Sequence, residues 1–158
     1  MDEGFVKNAM NNYGSMVLRI AKAITGSRED AEDVFSETFF VLWQQNKVFN
    51  SDEHLKAWLI KVATNKSKNV KYSAYNRYKE VFNEETIMAN TQENPAVAMV
   101  ENALMRLSAD DRAIIHLYHY EGYTYDEIAK MLELKSSSIR SRVSRVQSKM
   151  RELLSRDK

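Results

Sequence analysis

Four glycines and one proline serve a chain of 158 residues. A strand-rich chain must reverse direction often, and its turns draw on glycine for positive φ and on proline for a pre-set φ. Such scarcity leaves long segments without turns, and these are expected to be helices. The expected fold class is therefore all-α. Apolar residues make up 44% and charged residues 28% of the chain, which suits a packed core and argues against wholesale disorder. The length allows one ordinary domain or two small ones. Cysteine is absent, so disulfides, thiolate metal sites and cysteine nucleophiles are excluded, and a reducing cytosol is compatible. No apolar run approaches the length of a membrane span, so no membrane insertion is expected. Met1-Asp2-Glu3-Gly4 lacks the basic and apolar pattern of a signal peptide.

Helical periodicity divides the chain into seven segments. Phe5, Met10, Met16 and Ile20 recur at helical spacing over 5–25, and Gly26 stands where that helix would stop. Ser27 reads as the N-cap of a second helix over 28–45, whose apolar stripe is Ala31, Phe35, Phe39, Leu42 and Trp43. A polar connector, 46–53, leads to a third helix starting near His54. At 100° per residue Leu55, Trp58, Leu59 and Val62 share one side of it, and Lys61, Lys68 and Lys71 the opposite side. Residues 80–101 hold five Glu and no Lys or Arg, the composition of a linker, with Pro95 either opening the next helix or marking a turn. The remaining helices are expected over 96–106, 109–120, 125–132 and 136–154. Ser108 caps the second of these. Thr124-Tyr125-Asp126-Glu127 forms a capping box ahead of the third.

The charge is gathered in two places. Residues 56–79 carry Lys56, Lys61, Lys66, Lys68, Lys71, Arg77 and Lys79 with no acid, and 135–158 carry eight Lys or Arg against Glu152 and Asp157. The net charge is only +1, so the rest of the chain is acidic. Two separate cationic segments suit two contacts with one polyanion, and DNA is the natural candidate.

The segment from Glu121 to Met150, which runs into the second cationic stretch, has helix-turn-helix form. A short helix with Ile128 and small Ala129 is followed by Glu133-Leu134-Lys135 and a longer helix. On the long helix Ile139, Val143, Val146 and Met150 form one apolar stripe, and Ser137, Ser141, Ser144 and Ser148 lie opposite. Arg140 and Arg151 flank the stripe on one side, and Arg145, Arg142 and Lys149 on the other. Small hydroxyl residues allow close approach to base edges, and arginines reach guanine edges or phosphates. A helix serving only as a solvated surface would favour Glu, Lys or Ala over serine.

Two blocks resemble the extracytoplasmic-function sigma factors of bacterial RNA polymerase. Asp30-Ala-Glu-Asp-Val-Phe-Ser-Glu-Thr-Phe-Phe-Val-Leu-Trp43 with Ala57-Trp-Leu-Ile-Lys-Val-Ala-Thr-Asn65 resembles region 2 of that family. Leu104-Met-Arg-Leu-Ser108, Glu121-Gly-Tyr-Thr-Tyr-Asp-Glu-Ile-Ala129 and Ile139-Arg-Ser-Arg142 resemble region 4, the helix-turn-helix. The chain departs from the family pattern in three places. Glu133 stands where the inter-helix turn usually has Gly, Lys135 stands where the recognition helix usually starts on a small or hydroxyl residue, leaving Ser136 as the expected cap, and Asn69 replaces a common Asp.

The resemblance implies two small helical domains, region 2 over 1–79 and region 4 over 98–158, joined by an acidic linker over 80–97. It implies a factor that recruits RNA polymerase core to a two-part promoter and assists melting. Asp30, Asp33, Glu37 and Gln44 would meet the polymerase. Asn50, Ser51, His54, Lys56, Lys61, Asn65, Lys68, Asn69 and Lys71 would meet the minus-ten element, with Asp52 beside them and a flipped base captured by the connector. Tyr72, Tyr75 and Tyr78 either stack on bases or pack the domain edge, and Trp58 belongs to the core. Ser136, Ser137, Ser138, Arg140, Ser141, Ser144 and Arg145 would read the minus-thirty-five element, with Arg142 on a phosphate. The linker either enters the polymerase or serves as a tether. An anti-sigma factor is an implied partner, and the cytoplasm the implied location.

No catalytic group is expected. His54, His116 and His119 are the only histidines, and neither a phosphate-binding glycine loop nor metal-ligand spacing occurs, so no cofactor and no metal are expected. A stand-alone helix-turn-helix regulator would explain the C-terminal cations and leave 56–79 unexplained. A protein-interaction module built on the acidic helix would leave both cationic segments unused.

Overall fold

The computed structural model describes residues 2–78 and 95–156. Seven helices account for the described residues: α1 Glu3–Thr25, α2 Arg28–Gln44, α3 Asp52–Tyr78, α4 Pro95–Met105, α5 Ala109–His119, α6 Tyr125–Leu132 and α7 Ser136–Arg156. Residues 80–94 of the expected linker fall outside the described residues, and Pro95 opens α4 rather than marking a turn.

The helix boundaries follow local chemistry. Asp2 caps α1 by accepting from the Gly4 N–H, and Gly26, at φ 73°, ends it in the left-handed region while donating to the Lys22 carbonyl. Ser27 accepts from the Asp30 N–H, Ser108 from Asp111, and Thr124 and Glu127 form the reciprocal box expected of them. The third helix begins earlier than its apolar pattern predicted. Ser51 Oγ accepts from the His54 N–H at 3.1 Å, so the polar residues Asp52 and Glu53 form the first turn of α3 rather than the end of a loop.

One continuous core runs through α1, α2, α3, α5, α6 and α7, and Leu104 of α4 packs against it. Val17, Ile20 and Ile24 of α1 meet Val34 and Leu42 of α2 and Leu59 and Ile60 of α3, and the same cluster continues through Ile114 and Leu117 of α5 to Ile128, Ile139 and Val143. Each large side chain so buried contributes about 1.5–3 kcal/mol. Three residues expected in apolar stripes are exposed instead: Phe5, Met10 and Trp43. The burying face of α1 is set by Val6, Ala9, Met16, Val17 and Ile20, and that of α2 by Ala31, Val34, Thr38, Phe39 and Leu42. Helix α1 is the shared element. It packs on α2 and α3 on one side and on α5 on the other.

Candidate nucleic-acid interface

Helix α7 presents its serines to solvent. Ile139, Val143 and Val146 are fully buried, and Ser137, Ser141, Ser144 and Ser148, across the helix from them, are exposed. Ser136 and Ser138 are half-buried. The expected capping role of Ser136 is corrected. Ile139 N–H bonds back to the Lys135 carbonyl at 3.1 Å, so Lys135 occupies the cap and Ser136 is already helical. Its hydroxyl donates to the Asp126 carboxylate, which ties the start of α7 to α6. Arg140 is exposed, with its guanidinium 5.8 Å from the centre of the Tyr125 ring. Arg145 is exposed too, but its Nη2 lies 3.3 and 3.4 Å from the two carboxylate oxygens of Asp111. Arg142 reaches the same carboxylate at 3.3 Å. The turn before α7 uses Glu133 at φ 58°, ψ 44°, where glycine would be unstrained.

The connector and α3 carry the second group. Asn50 N–H donates to His54 Nδ1 at 3.1 Å, so the neutral His54 ring holds its proton on Nε2. With Ser51 capping the helix, Asn50, Ser51 and His54 form one fixed turn. Phe49 stands edge-on to His54 and Trp58, at 5.2 and 5.5 Å between ring centres. Trp58 is partly buried against the core. Asn65 and Asn69 are exposed. The side chains of Lys71, Tyr72, Tyr75 and Tyr78 lie outside the described residues. The remaining lysines are engaged. Lys56 Nζ sits 5.5 Å from the Tyr123 ring centre, Lys61 pairs with Glu133, and Lys68 pairs with Asp110.

The acidic helix α2 exposes Asp33, Glu37 and Gln44, with Asp30 half-buried; Glu37 pairs with Lys66 at 3.7 Å. Helical spacing places Phe40 among these four, and Phe40 is 53% exposed. Its ring centre lies 6.0 Å from that of Trp43, itself 51% exposed. Sequence reasoning missed this pair because an apolar residue in a helix is read as core until packing shows otherwise. The signal available was that Phe40 fell outside the apolar stripe.

The Sigma-70 region 2 family model matches residues 9–75, and the Sigma-70 region 4 model matches 98–150. The ECF RNA polymerase sigma factor SigL of Mycobacterium tuberculosis is 30% identical over 143 residues, covering 84% of this chain and 79% of that one. The chain belongs to the ECF RNA polymerase sigma factors. It is accordingly a transcription initiation factor that acts with RNA polymerase, and the stand-alone regulator reading gives way. Two solved structures share the fold. The sigma factor RpoE from Bartonella quintana, in complex with the anti-sigma factor NepR, has a TM-score of 0.69 at 24% identity, over 96% of this chain and 98% of that one. CnrH, in complex with the cytosolic domain of CnrY, has a TM-score of 0.74 at 21% identity, over 99% and 92%.

In this sigma factor the N- and C-terminal helices are closed on each other. Besides the three lysine contacts, Arg19 of α1 meets Glu121 at 3.1 Å, and Glu121 meets His116 at 2.8 Å. Burial pushes the His116 pKa down while Glu121 pulls it up, and burial prevails. For Glu121 burial pushes upward, but the bonds from Arg19 and His116 outweigh it and hold the carboxyl low. Arg112 is 4% exposed and donates Nε–H to the Ala23 carbonyl at 2.6 Å, at the end of α1. Burial brings its pKa down to about 10, so it stays cationic at the negative end of the helix dipole. Between Lys61, Lys68, Asp110 and Glu133 lies a cavity of about 190 Å³. Thr64 lines it, and its buried hydroxyl has no hydrogen-bond partner. Among the described residues no group of three His, Asp or Glu is placed to hold a metal ion, and no helix is long and apolar enough to cross a membrane.

Proposed function

We propose that this sigma factor directs polymerase core to two-part promoters through two separate DNA surfaces. Residues 1–79 act as region 2 and 98–158 as region 4, with 80–97 as the tether. The observation that carries the reading is the exposed serine row of α7, backed by a fully buried stripe and flanked by Arg140 and Arg145. Those serines and arginines, with Ser136 and Ser138 at the helix start, read the minus-thirty-five element. Arg142, half-buried on Asp111, reaches a phosphate at most. The Asn50–His54 turn and the exposed face of α3, with Asn65 and Asn69, engage the minus-ten element, and Lys56, Lys61, Lys68 and Lys71 supply charge along the opening strands. Asp30, Asp33, Glu37 and Gln44, centred on Phe40, dock on the polymerase; an exposed aromatic ringed by polar groups is the usual form of a binding anchor. The chain's own side chains catalyse nothing, and its place of action is the cytoplasm. The RpoE–NepR and CnrH–CnrY complexes support an anti-sigma factor as a further partner.

The test is transcription in vitro from a pool of genomic fragments, with sigma-free core polymerase and the purified chain. Discrete start sites are expected, and Arg140→Ala with Arg145→Ala should abolish them. Duplex footprints by the chain alone, with no starts from core, would overturn the reading.

A further inference from the structure

Asp111 lies beneath the recognition helix. It sits in the first turn of α5, is 9% exposed, and its two oxygens face Arg142 and Arg145, both from α7. The two guanidiniums differ in their surroundings, since the Arg142 side chain is 33% exposed and that of Arg145 65%. Arg145 gives a single nitrogen, Nη2, to both oxygens of the carboxylate. Nη2 belongs to both edges of a guanidinium that can bond a base or phosphate in bidentate fashion, so an Arg145 held this way is turned and limited in what it can grip. The carboxylate also offsets one of the two positive charges. Arg140 has no such restraint; it rests on the Tyr125 ring. The neighbouring acid, Asp110, is committed elsewhere, to Lys68. A carboxylate at this point of α5 is also favoured by the helix dipole, but that role needs neither arginine.

We propose that Asp111 is a positioning residue that sets DNA specificity: it holds Arg142 and Arg145 back from the phosphates and fixes the direction from which Arg145 approaches the duplex. This rests on the reading of α7 as the minus-thirty-five reader. A guanidinium on a flexible side chain takes any phosphate within reach, and each added phosphate contact steepens the dependence of log K on log salt by about 0.9. Freed from Asp111, Arg145 binds all sequences more tightly and distinguishes them less.

The experiment uses holoenzyme assembled from the full chain and core polymerase, on a promoter found by start-site mapping. Binding is measured to that promoter, to a library varied through the upstream element, and to nonspecific duplex, across a salt series. Asp111→Ala should raise nonspecific affinity, steepen the salt slope by about 0.9, and lower the specific-to-nonspecific ratio about tenfold, the scale of one lost base contact. Asp111→Glu, which keeps the charge, should restore most of the ratio. In an Arg142→Ala, Arg145→Ala background, Asp111→Ala should change nothing further. A loss of the same size in that background, with a lowered melting temperature, means that Asp111 serves only the fold and overturns the inference. A ratio untouched by Asp111→Ala while Arg145→Ala shifts the upstream preference overturns it as well and leaves the α7 reading intact. If neither arginine variant moves the upstream preference, the reading of α7 has failed and the inference with it.

Discussion

Glu133 has a φ of 58°, the sole positive value outside glycine among the described residues. A side chain in the left-handed region costs about 1–2 kcal/mol, which glycine avoids at a smaller entropic cost. Its ion pair with Lys61 is exposed and worth little. Glu133→Gly should therefore stabilise the fold by about 0.5–1 kcal/mol; urea melts would read this, and a loss of stability would mean the pair matters more than the strain. His116 carries the second residue-scale prediction. Its folded pKa lies below the ordinary 6.5 because it is buried. As the pH falls below about 6.5 the unfolded chain takes up a proton that the folded chain still refuses, so stability present above that value is lost on acidification. Glu121, also held low, adds the same sign further down, with stability present above its ordinary 4.5 and lost as the pH falls through the folded value. Melting temperatures should drop between about pH 7.5 and 5.5. His116→Gln should flatten that drop, and an equal slope in the variant would place its origin elsewhere.

At the scale of elements, α2 and α7 make contrasting cases. The stripe of α7 was legible in the sequence because Ile139, Val143 and Val146 alternate with serine and arginine, leaving one way to orient the helix. The capping box ahead of α6 was equally plain, since each of its two side chains needs only the backbone N–H of the other residue. Helix α2 was harder to read. Phe35, Phe39, Phe40 and Trp43 are all large and apolar, and periodicity could not say which ones the neighbouring helices leave uncovered. Trp43 was assigned to the core and lies half-exposed. That misreading has a functional consequence. Phe40→Ala removes a side chain that supports little of the core, so its melting temperature should stay near that of the parent. Its affinity for core polymerase should fall by about 1–3 kcal/mol if the exposed ring is the anchor. Fluorescence titration of core with labelled chain would measure it, and unchanged affinity would return the docking role to the carboxylates alone. Gly26 gives a structural counterpart. It ends α1 at φ 73°, and a Cβ there would meet Met105 Sδ of α4. Gly26→Ala should destabilise by about 1–2 kcal/mol, read by thermal or urea melts.

The whole molecule adds what no segment of sequence revealed, the closing of the two helical sets on each other. Lys61, Lys68 and Lys56 were expected to face DNA, and in this arrangement they face Glu133, Asp110 and Tyr123. The sequence holds the charges of both sides but not their pairing, because Lys61 and Glu133 stand 72 residues apart. A lysine on a carboxylate has part of its charge and of its three N–H donors already committed, so full engagement of DNA along α3 favours separating these contacts. The closure combines forces that respond differently to conditions. Its lysine pairs are partly exposed and weaken with salt, whereas Arg112 on the Ala23 carbonyl and the continuous core between α1 and α5 do not. Because the chain has no cysteine, Ser15→Cys and Ser155→Cys, both at exposed positions outside the proposed DNA surfaces, accept two spin labels cleanly. The chain alone should give one narrow distance distribution that high salt leaves nearly unchanged. Asp110→Ala with Glu133→Ala should broaden it slightly and raise affinity for duplex DNA, since two acids leave the cationic face of α3. Adding Arg112→Met, which takes the donor from the Ala23 carbonyl, should produce a second, longer population. Addition of core polymerase and promoter to the parent chain should shift it wholly to long distances. A distribution that stays short in that final complex would mean that α3 keeps its lysines on Glu133 and Asp110, and that DNA is held by α7 and the Asn50–His54 turn alone.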